Sequence, residues 1–149
     1  MKNRIILLLS VILTTMISCR TQSVKEVDIC IYGGTSAGVI AAYTAQQSGK
    51  SVLLIEPGRH LGGMSSGGLG FTDIGNKYVV QGLALDFYRR LGTHYGKLEQ
   101  WIFEPSVAET IFKDYIKRAG IEVWYENRLS DVEKQRNSIT TITLEDSKH

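Results

Sequence analysis

Residues 27–38 read Val27-Asp28-Ile29-Cys30-Ile31-Tyr32-Gly33-Gly34-Thr35-Ser36-Ala37-Gly38. The first six form a short apolar run with β-branched residues, which is typical of a strand buried on both faces in a parallel sheet. A glycine-rich turn follows, and the small residues of segment 36–48 predict a helix packed close to that sheet, with Gly49 in a left-handed position at its end. Residues 51–56 predict a second strand. Together these segments predict a βαβ unit.

The turn at residues 33–38 is suited to binding a pyrophosphate, because backbone N–H groups and a helix N-terminus can face the phosphates. Thr35 replaces the middle glycine of the strict GxGxxG pattern, whereas Gly38 meets the need for close packing of helix and sheet. Glu56 closes the second strand eighteen residues after Gly38, where a carboxylate can accept hydrogen bonds from ribose hydroxyls. The combination predicts a dinucleotide site for FAD or NAD, since Glu56 would repel the 2′-phosphate of NADP.

The rest of the chain extends this unit into an α/β domain. Residues 57–75 show no periodicity and predict a ligand-binding loop. Amphipathic helices are predicted at 81–91 and 105–119, the second with Pro105 in its first turn and Gly120 after its end. A third parallel strand at 121–125 and an antiparallel hairpin at 129–134 and 138–144 complete the predicted elements.

The loop after Glu56 points to a particular family. It runs Pro57-Gly58-Arg59-His60-Leu61-Gly62-Gly63-Met64-Ser65-Ser66-Gly67-Gly68-Leu69-Gly70, and Phe103-Glu104-Pro105 with Val107-Ala108-Glu109 forms a second block. The sequence resembles the secreted bacterial FAD-dependent oxidoreductases of the glutathione-reductase-like flavoprotein group, in which a Gly-Thr turn, a Glu-Pro-Gly strand end and a Gly-Gly-Met loop occur together. The likeness covers about residues 27–146. It implies a Rossmann-like FAD-binding fold with FAD as the cofactor.

The resemblance also assigns binding roles to individual residues. Those expected around the pyrophosphate are Gly33, Gly34, Thr35, Ser36, Ala37 and Gly38. Those expected to line the pyrophosphate and ribityl side are Gly62, Gly63, Met64 and Ser65. By the same resemblance Glu56 holds the adenosine ribose and the backbone of Leu129 meets the adenine. Arg59 lies near the adenosine half or is a solvated loop side chain.

Catalytic residues are not predicted. His60 and His94 are the candidates for acid–base chemistry, but neither has an identifiable partner, and a lone histidine is more often a surface residue. No metal-ligand spacing and no nucleophile elbow occurs in the sequence. Hydride chemistry would belong to the flavin, with protein groups placing a small-molecule substrate beside it.

Composition limits the function classes further. The 149 residues are 43% apolar and 21% charged, which suits one globular core. Lys and Arg number 17 against 15 acidic residues, and Lys2 and Arg4 fall within the first eighteen positions. The remainder therefore carries 15 basic and 15 acidic groups, a balance that argues against nucleic acid as a partner.

The N-terminus has the order of an export signal. Residues 1–18 place two positive charges before a short apolar run, and Met16-Ile17-Ser18-Cys19 resembles the lipobox of bacterial lipoproteins. We expect cleavage before Cys19, lipidation of that cysteine and a polar tether at 19–26, with simple secretion as the alternative. The protein would then be exported and lipid-anchored to a bacterial membrane, on the periplasmic or cell-surface side. Cys30 would be the single remaining thiol, expected to be buried in its strand.

Residues 27–149 are expected to form the N-terminal part of an FAD-binding domain. Flavoproteins of this group close the FAD site with a later segment and add a substrate domain, so the chain resembles part of a truncated or split enzyme with a C-terminal partner chain. It would then bind FAD weakly or not at all by itself and lack turnover. The alternative is a non-catalytic, lipid-anchored nucleotide-binding module. An NAD-dependent dehydrogenase fits least, because the loop after Glu56 is wrong for it.

Replacing Cys19 tests the predicted anchor. The Cys19→Ser variant should accumulate as an unlipidated precursor, because position 19 no longer has a thiol to receive the diacylglyceryl group. Cells expressing the parent or the variant can be labelled with a radioactive fatty acid. Label that persists in the variant, or that the parent fails to incorporate, excludes lipidation at this residue.

Overall fold

The computed structural model describes residues 24–145. The predicted signal at 1–18, Cys19 and most of the predicted tether lie outside the described residues. Within the part that is described, no helix is long and apolar enough to cross a membrane.

The described chain has an α/β fold with a parallel sheet and a separate C-terminal hairpin. Its elements are β1 (Ile29–Tyr32), α1 (Ser36–Gln47), β2 (Val52–Glu56), α2 (Gly82–His94), α3 (Pro105–Ala119), β3 (Glu122–Tyr125), β4 (Leu129–Gln135) and β5 (Ser138–Leu144). The sheet has the order β1-β2-β3 with parallel pairing throughout, and β4 pairs with β5 antiparallel. This architecture confirms the predicted fold class.

The ends of the helices are set by capping residues, proline and glycine. The Thr35 hydroxyl caps α1 by accepting a hydrogen bond from the N–H of Gly38 at 3.1 Å. Pro105 occupies the first turn of α3, and Gly120 ends that helix with a φ of +65°, both as predicted. Helix α2 runs three residues past its predicted end at 91, because Gly92 continues the helix and lets the backbone of the following loop approach closely.

The core lies between the sheet and the packed helices. Strand β2 is central, and its Val52 and Leu54 side chains join a cluster with residues of all three helices. The fully buried members of that cluster with the largest side chains are Tyr115, Leu54, Leu61, Leu91 and Val39. Burial of these side chains supplies the main free energy that holds the sheet and the three helices together.

Strand β1 is not buried on both faces, contrary to the sequence prediction. Ile29 and Ile31 pack against the core, whereas Cys30 and Tyr32 on the other face are exposed. The expected burial of Cys30 is therefore wrong. The reason is that β1 forms one edge of the described sheet and the helical core covers only its Ile29 and Ile31 side.

A polar network joins α2 to α3. The Tyr115 hydroxyl donates to Asp86 Oδ2 at 2.5 Å, and Arg90 donates to Asp86 at 2.6 Å and to Asp114 at 2.8 Å. Burial opposes ionisation of Asp86, but the hydrogen bonds from Tyr115 and Arg90 outweigh it and lower the pKa of that carboxyl. The two helices are therefore held at a defined angle by charge-assisted contacts as well as by packing.

Removing a core side chain tests this packing. Leu54→Ala should lower the free energy of unfolding by about 2–5 kcal/mol, because Leu54 is fully buried in the central strand and a cavity would remain. Val132→Ala on the exposed hairpin is the control and should change it by less than about 0.5 kcal/mol. Urea unfolding followed by circular dichroism measures both, and equal effects would contradict this description of the core.

Candidate nucleotide-binding site

The turn after β1 is tight because glycines at its two ends allow the backbone at Gly33 and at Gly38 to come close together. A Cβ atom at Gly38 would lie 2.0 Å from the carbonyl oxygen of Gly33, so only glycine fits there. Gly33 has a φ of +103°, and a Cβ added to it would meet no atom within 4 Å. The space beside Gly33 is thus open, as a site for a pyrophosphate requires.

The N-terminus of α1 supplies hydrogen-bond donors to this turn. Thr35 uses its hydroxyl to cap Gly38, which gives the departure from the strict GxGxxG pattern a structural function. The N–H groups of Ser36 and Ala37 belong to the first helical turn, where an α-helix has no acceptor of its own to offer. These donors and the helix dipole favour an anion at this position.

Glu56, the last residue of β2, faces the same turn. Its Oε2 accepts a hydrogen bond from the N–H of Gly34 at 2.6 Å, and its Oε1 accepts one from the N–H of Gly58 at 2.6 Å. A carboxylate has about four lone-pair positions, so each oxygen retains one for a further donor. Glu56 is half-buried, which strengthens any hydrogen bond that it accepts.

The loop after β2 returns to the turn. The N–H of Gly62 donates to the carbonyl of Gly34 at 2.7 Å, and Thr35 pairs with Gly62 as in a short parallel bridge. A Cβ at Gly63 would lie 3.2 Å from the Thr35 Cβ. The 3₁₀ turn Gly63–Ser65 thus begins beside the glycine-rich turn 33–38, which we call the cradle, and it carries the exposed side chain of Met64. The structure brings both predicted pyrophosphate segments together.

The predicted adenosine-side residues also lie at the carboxyl ends of the strands. Arg59 Nε donates to Glu126 Oε1 at 2.6 Å, just after β3. Both side chains are more than half exposed, so this ion pair contributes about 1 kcal/mol or less to stability. Arg59 can therefore give up this partner for another at little cost. The N–H of Leu129 donates to the Tyr32 hydroxyl at 3.1 Å.

His60 has a partner, which corrects the expectation that it stands alone. Its Nδ1 lies 3.1 Å from Glu109 Oε1, and Lys113 Nζ lies 2.7 Å from the same oxygen. Burial opposes ionisation of Glu109, but Lys113 and His60 outweigh it and lower the pKa of that carboxyl. Burial raises the pKa of nearby Tyr125, which keeps its hydroxyl protonated. His60 of the loop after β2 therefore belongs to a polar cluster with Glu109 and Lys113 of α3.

His94 is the last residue of α2, with its ring against Tyr95. The structure thus brings together the predicted binding segments but gives neither histidine an evident catalytic role.

Two residues beside the site were not anticipated from the sequence. Tyr32 ends β1 and contacts Leu129, and Glu126 pairs with Arg59. Glu126 has a φ of +58°, unusual for a residue other than glycine, and its N–H donates to the Gly58 carbonyl at 2.9 Å. A tyrosine at a strand end immediately before Gly33 is the only sequence signal that could have pointed to the first of them.

Comparison with known proteins identifies the ligand class. The model of the FAD dependent oxidoreductase family matches residues 28–149. The thiamine thiazole synthase of Pyrococcus horikoshii is 26% identical over 122 residues, which cover 80% of this chain and 47% of that protein. The chain therefore spans about half the length of the curated relatives it matches.

Solved structures show the same fold. THI4 of Thermovibrio ammonificans matches with a TM-score of 0.55 and 23% identity, over 95% of this chain and 55% of that one. The bacillithiol disulfide reductase of Staphylococcus aureus matches with a TM-score of 0.55 and 18% identity, over 83% of this chain and 35% of that one. The glycine turn, the α1 donors and Glu56 fit the ADP half of FAD.

Replacing Glu56 tests its place in the site. Glu56→Ala should weaken FAD binding by about 1–3 kcal/mol, because charge-assisted hydrogen bonds to the ribose are lost. Glu133→Ala removes a carboxylate from the exposed strand β4 and serves as the control. Fluorescence titration of both variants and the parent gives the comparison; unchanged affinity in Glu56→Ala would remove this residue from the site.

Proposed function

The chain belongs to the FAD dependent oxidoreductase family, and we propose that it forms the nucleotide-binding part of a flavin-dependent oxidoreductase acting on a small molecule. FAD is its cofactor. We further propose that it belongs to the secreted, glutathione-reductase-like members of the family, on the evidence of its Gly-Gly-Met loop and N-terminal signal pattern.

The position of Glu56 carries the proposal. Its carboxylate is fixed between the amides of Gly34 and Gly58 and keeps an acceptor position on each oxygen. Two adjacent hydroxyls of a ribose match that pair of acceptors, whereas a 2′-phosphate would meet a fixed negative charge. The arrangement therefore favours the adenosine of FAD over that of NADP.

The remaining cradle residues act on the cofactor's phosphates. Ser36 and Ala37 donate from the first turn of α1, while the segment 62–65 closes the other side of the turn. Arg59 can leave its weak ion pair with Glu126 and add a charged donor near the adenosine half. When bound, the flavin supplies the redox chemistry by taking up a hydride. The chain's own residues bind and orient it.

We propose that the substrate side is built by residues beyond those described. The matched region is 47% of the length of a curated relative, and the outer face of β1 exposes Cys30 and Tyr32. A later segment or a separate C-terminal chain would cover that face and hold a reactant against the flavin. We also propose export and anchoring through Cys19, on the strength of the charged start and short apolar run.

Two glycines with similar backbones provide a matched test. Gly33 and Gly49 both have positive φ, at +103° and +78°, and a Cβ added to either meets no atom within 4 Å. Valine at either position should lower stability by a similar amount through backbone strain. Gly33→Val should also abolish FAD binding, because its side chain would fill the space that the phosphates require.

The two variants are compared by equilibrium dialysis against FAD over a range that reaches weak binding, with thermal unfolding measured in parallel. We expect Gly49→Val to retain the parent's FAD affinity. If Gly33→Val retains it too, the turn has only a structural role and the proposed function loses its site.

A further inference from the structure

A separate cavity of about 310 Å³ lies against one face of α2. Leu85 and Arg89 are four residues apart and share that face of the helix. The facing walls are formed by Lys77 and Tyr78 of the preceding 3₁₀ turn and by Leu98 and Glu99 of the following loop. All lining residues fall between positions 77 and 99, so the cavity shares none with the glycine-rich cradle.

The cavity is lined by two positively charged side chains, Lys77 and Arg89, and one negatively charged side chain, Glu99. Glu99 is largely buried, and its two oxygens lie 3.9 Å from Lys77 Nζ and 3.8 Å from Arg89 Nε. These distances exceed a direct hydrogen bond, in contrast to the 2.6 Å contact that neighbouring Arg90 makes with Asp86. One carboxylate thus attracts two cations without satisfying the donors of either, and a net positive charge remains.

Apart from Gln81, the uncharged lining residues are mainly apolar, and two of them are open to solvent. Tyr78 is 81% exposed and Leu98 is 76% exposed, which leaves two large side chains uncovered beside the charged groups. Lys77 Nζ lies 5.7 Å from the centre of the Tyr78 ring. Exposed apolar groups next to unsatisfied cations are the two halves of a site for an amphipathic anion.

We propose that this cavity binds a small monocarboxylate with an apolar body. The ligand carboxylate pairs with Lys77 and Arg89, and its body lies against Tyr78, Leu85 and Leu98. A single negative charge matches the surplus of one, whereas a dianion would be repelled by Glu99. The volume is at the lower end for small-molecule sites, which suits a ligand of a few carbon atoms or one ring. The site is independent of the flavin proposal.

Calorimetric titration of the full chain with phenylacetate tests the site, with phenylacetamide as the neutral isostere. Phenylacetate should bind and the amide should bind about tenfold more weakly or not at all, because the charged contact is lost. Arg89→Gln and Lys77→Gln should each weaken phenylacetate binding about fivefold to tenfold.

The Glu99→Gln variant should change phenylacetate affinity in the opposite direction to the Arg89→Gln and Lys77→Gln variants. Removing the competing carboxylate should tighten phenylacetate binding severalfold, a change that a merely structural role of Glu99 would not produce. Lys117→Gln, which removes one positive charge from the exposed side of α3, should leave binding unchanged. Thermal unfolding confirms that each variant is folded. No binding of phenylacetate, equal binding of the amide, or weaker binding in Glu99→Gln would each overturn the proposal.

Discussion

Both oxygens of Glu56 accept hydrogen bonds from backbone amides, one in the turn after β1 and one in the loop after β2. One side chain thereby ties together the ends of two neighbouring strands. Other contacts of the site are built around the same place: the Gly34 carbonyl receives the N–H of Gly62, and the Glu56 carbonyl receives the N–H of Asn127 at 3.3 Å. Hydrogen bonds to an ionised carboxylate are about twice as strong as neutral ones. Glu56 therefore stabilises the conformation of the cradle and also places a negative charge beside it.

The elements around Glu56 could be predicted because their signals are local. The apolar run before Gly33, the small residues of α1 and the glycines after α1 and α3 each determine the conformation of only a few neighbouring residues. Features set by packing could not be predicted in this way. His60 meets Glu109 across 49 positions, and Leu129 meets Tyr32 across 97. Both contacts depend on where α3 and the hairpin come to rest, which no short window of sequence encodes.

Two adjacent arginines of helix α2 face different surroundings, one the cavity and the other α3. Successive residues of an α-helix point about 100° apart, so Arg90 can face α3 while Arg89 faces the cavity. Arg90 is mostly buried, hydrogen-bonded to Asp86 and Asp114, and fixes the helix against its neighbour. Arg89 is more exposed and makes only a long contact to Glu99. The same helix is therefore rigidly docked on one side and keeps a free cationic donor on the other, as a preformed anion site needs.

Tyr32 links the open face of the sheet to the adenosine side of the site. In the sheet it lies beside Ile55, a buried residue of β2, which pairs in turn with Trp124. Its hydroxyl accepts the N–H of Leu129, the group that the family resemblance assigns to adenine. A neutral hydrogen bond at an exposed position contributes only about 0.5–1.5 kcal/mol, so this contact adds little to the stability of the fold. The Tyr32 hydroxyl therefore serves mainly to fix the first residue of the hairpin beside the end of β1, next to the glycine-rich turn.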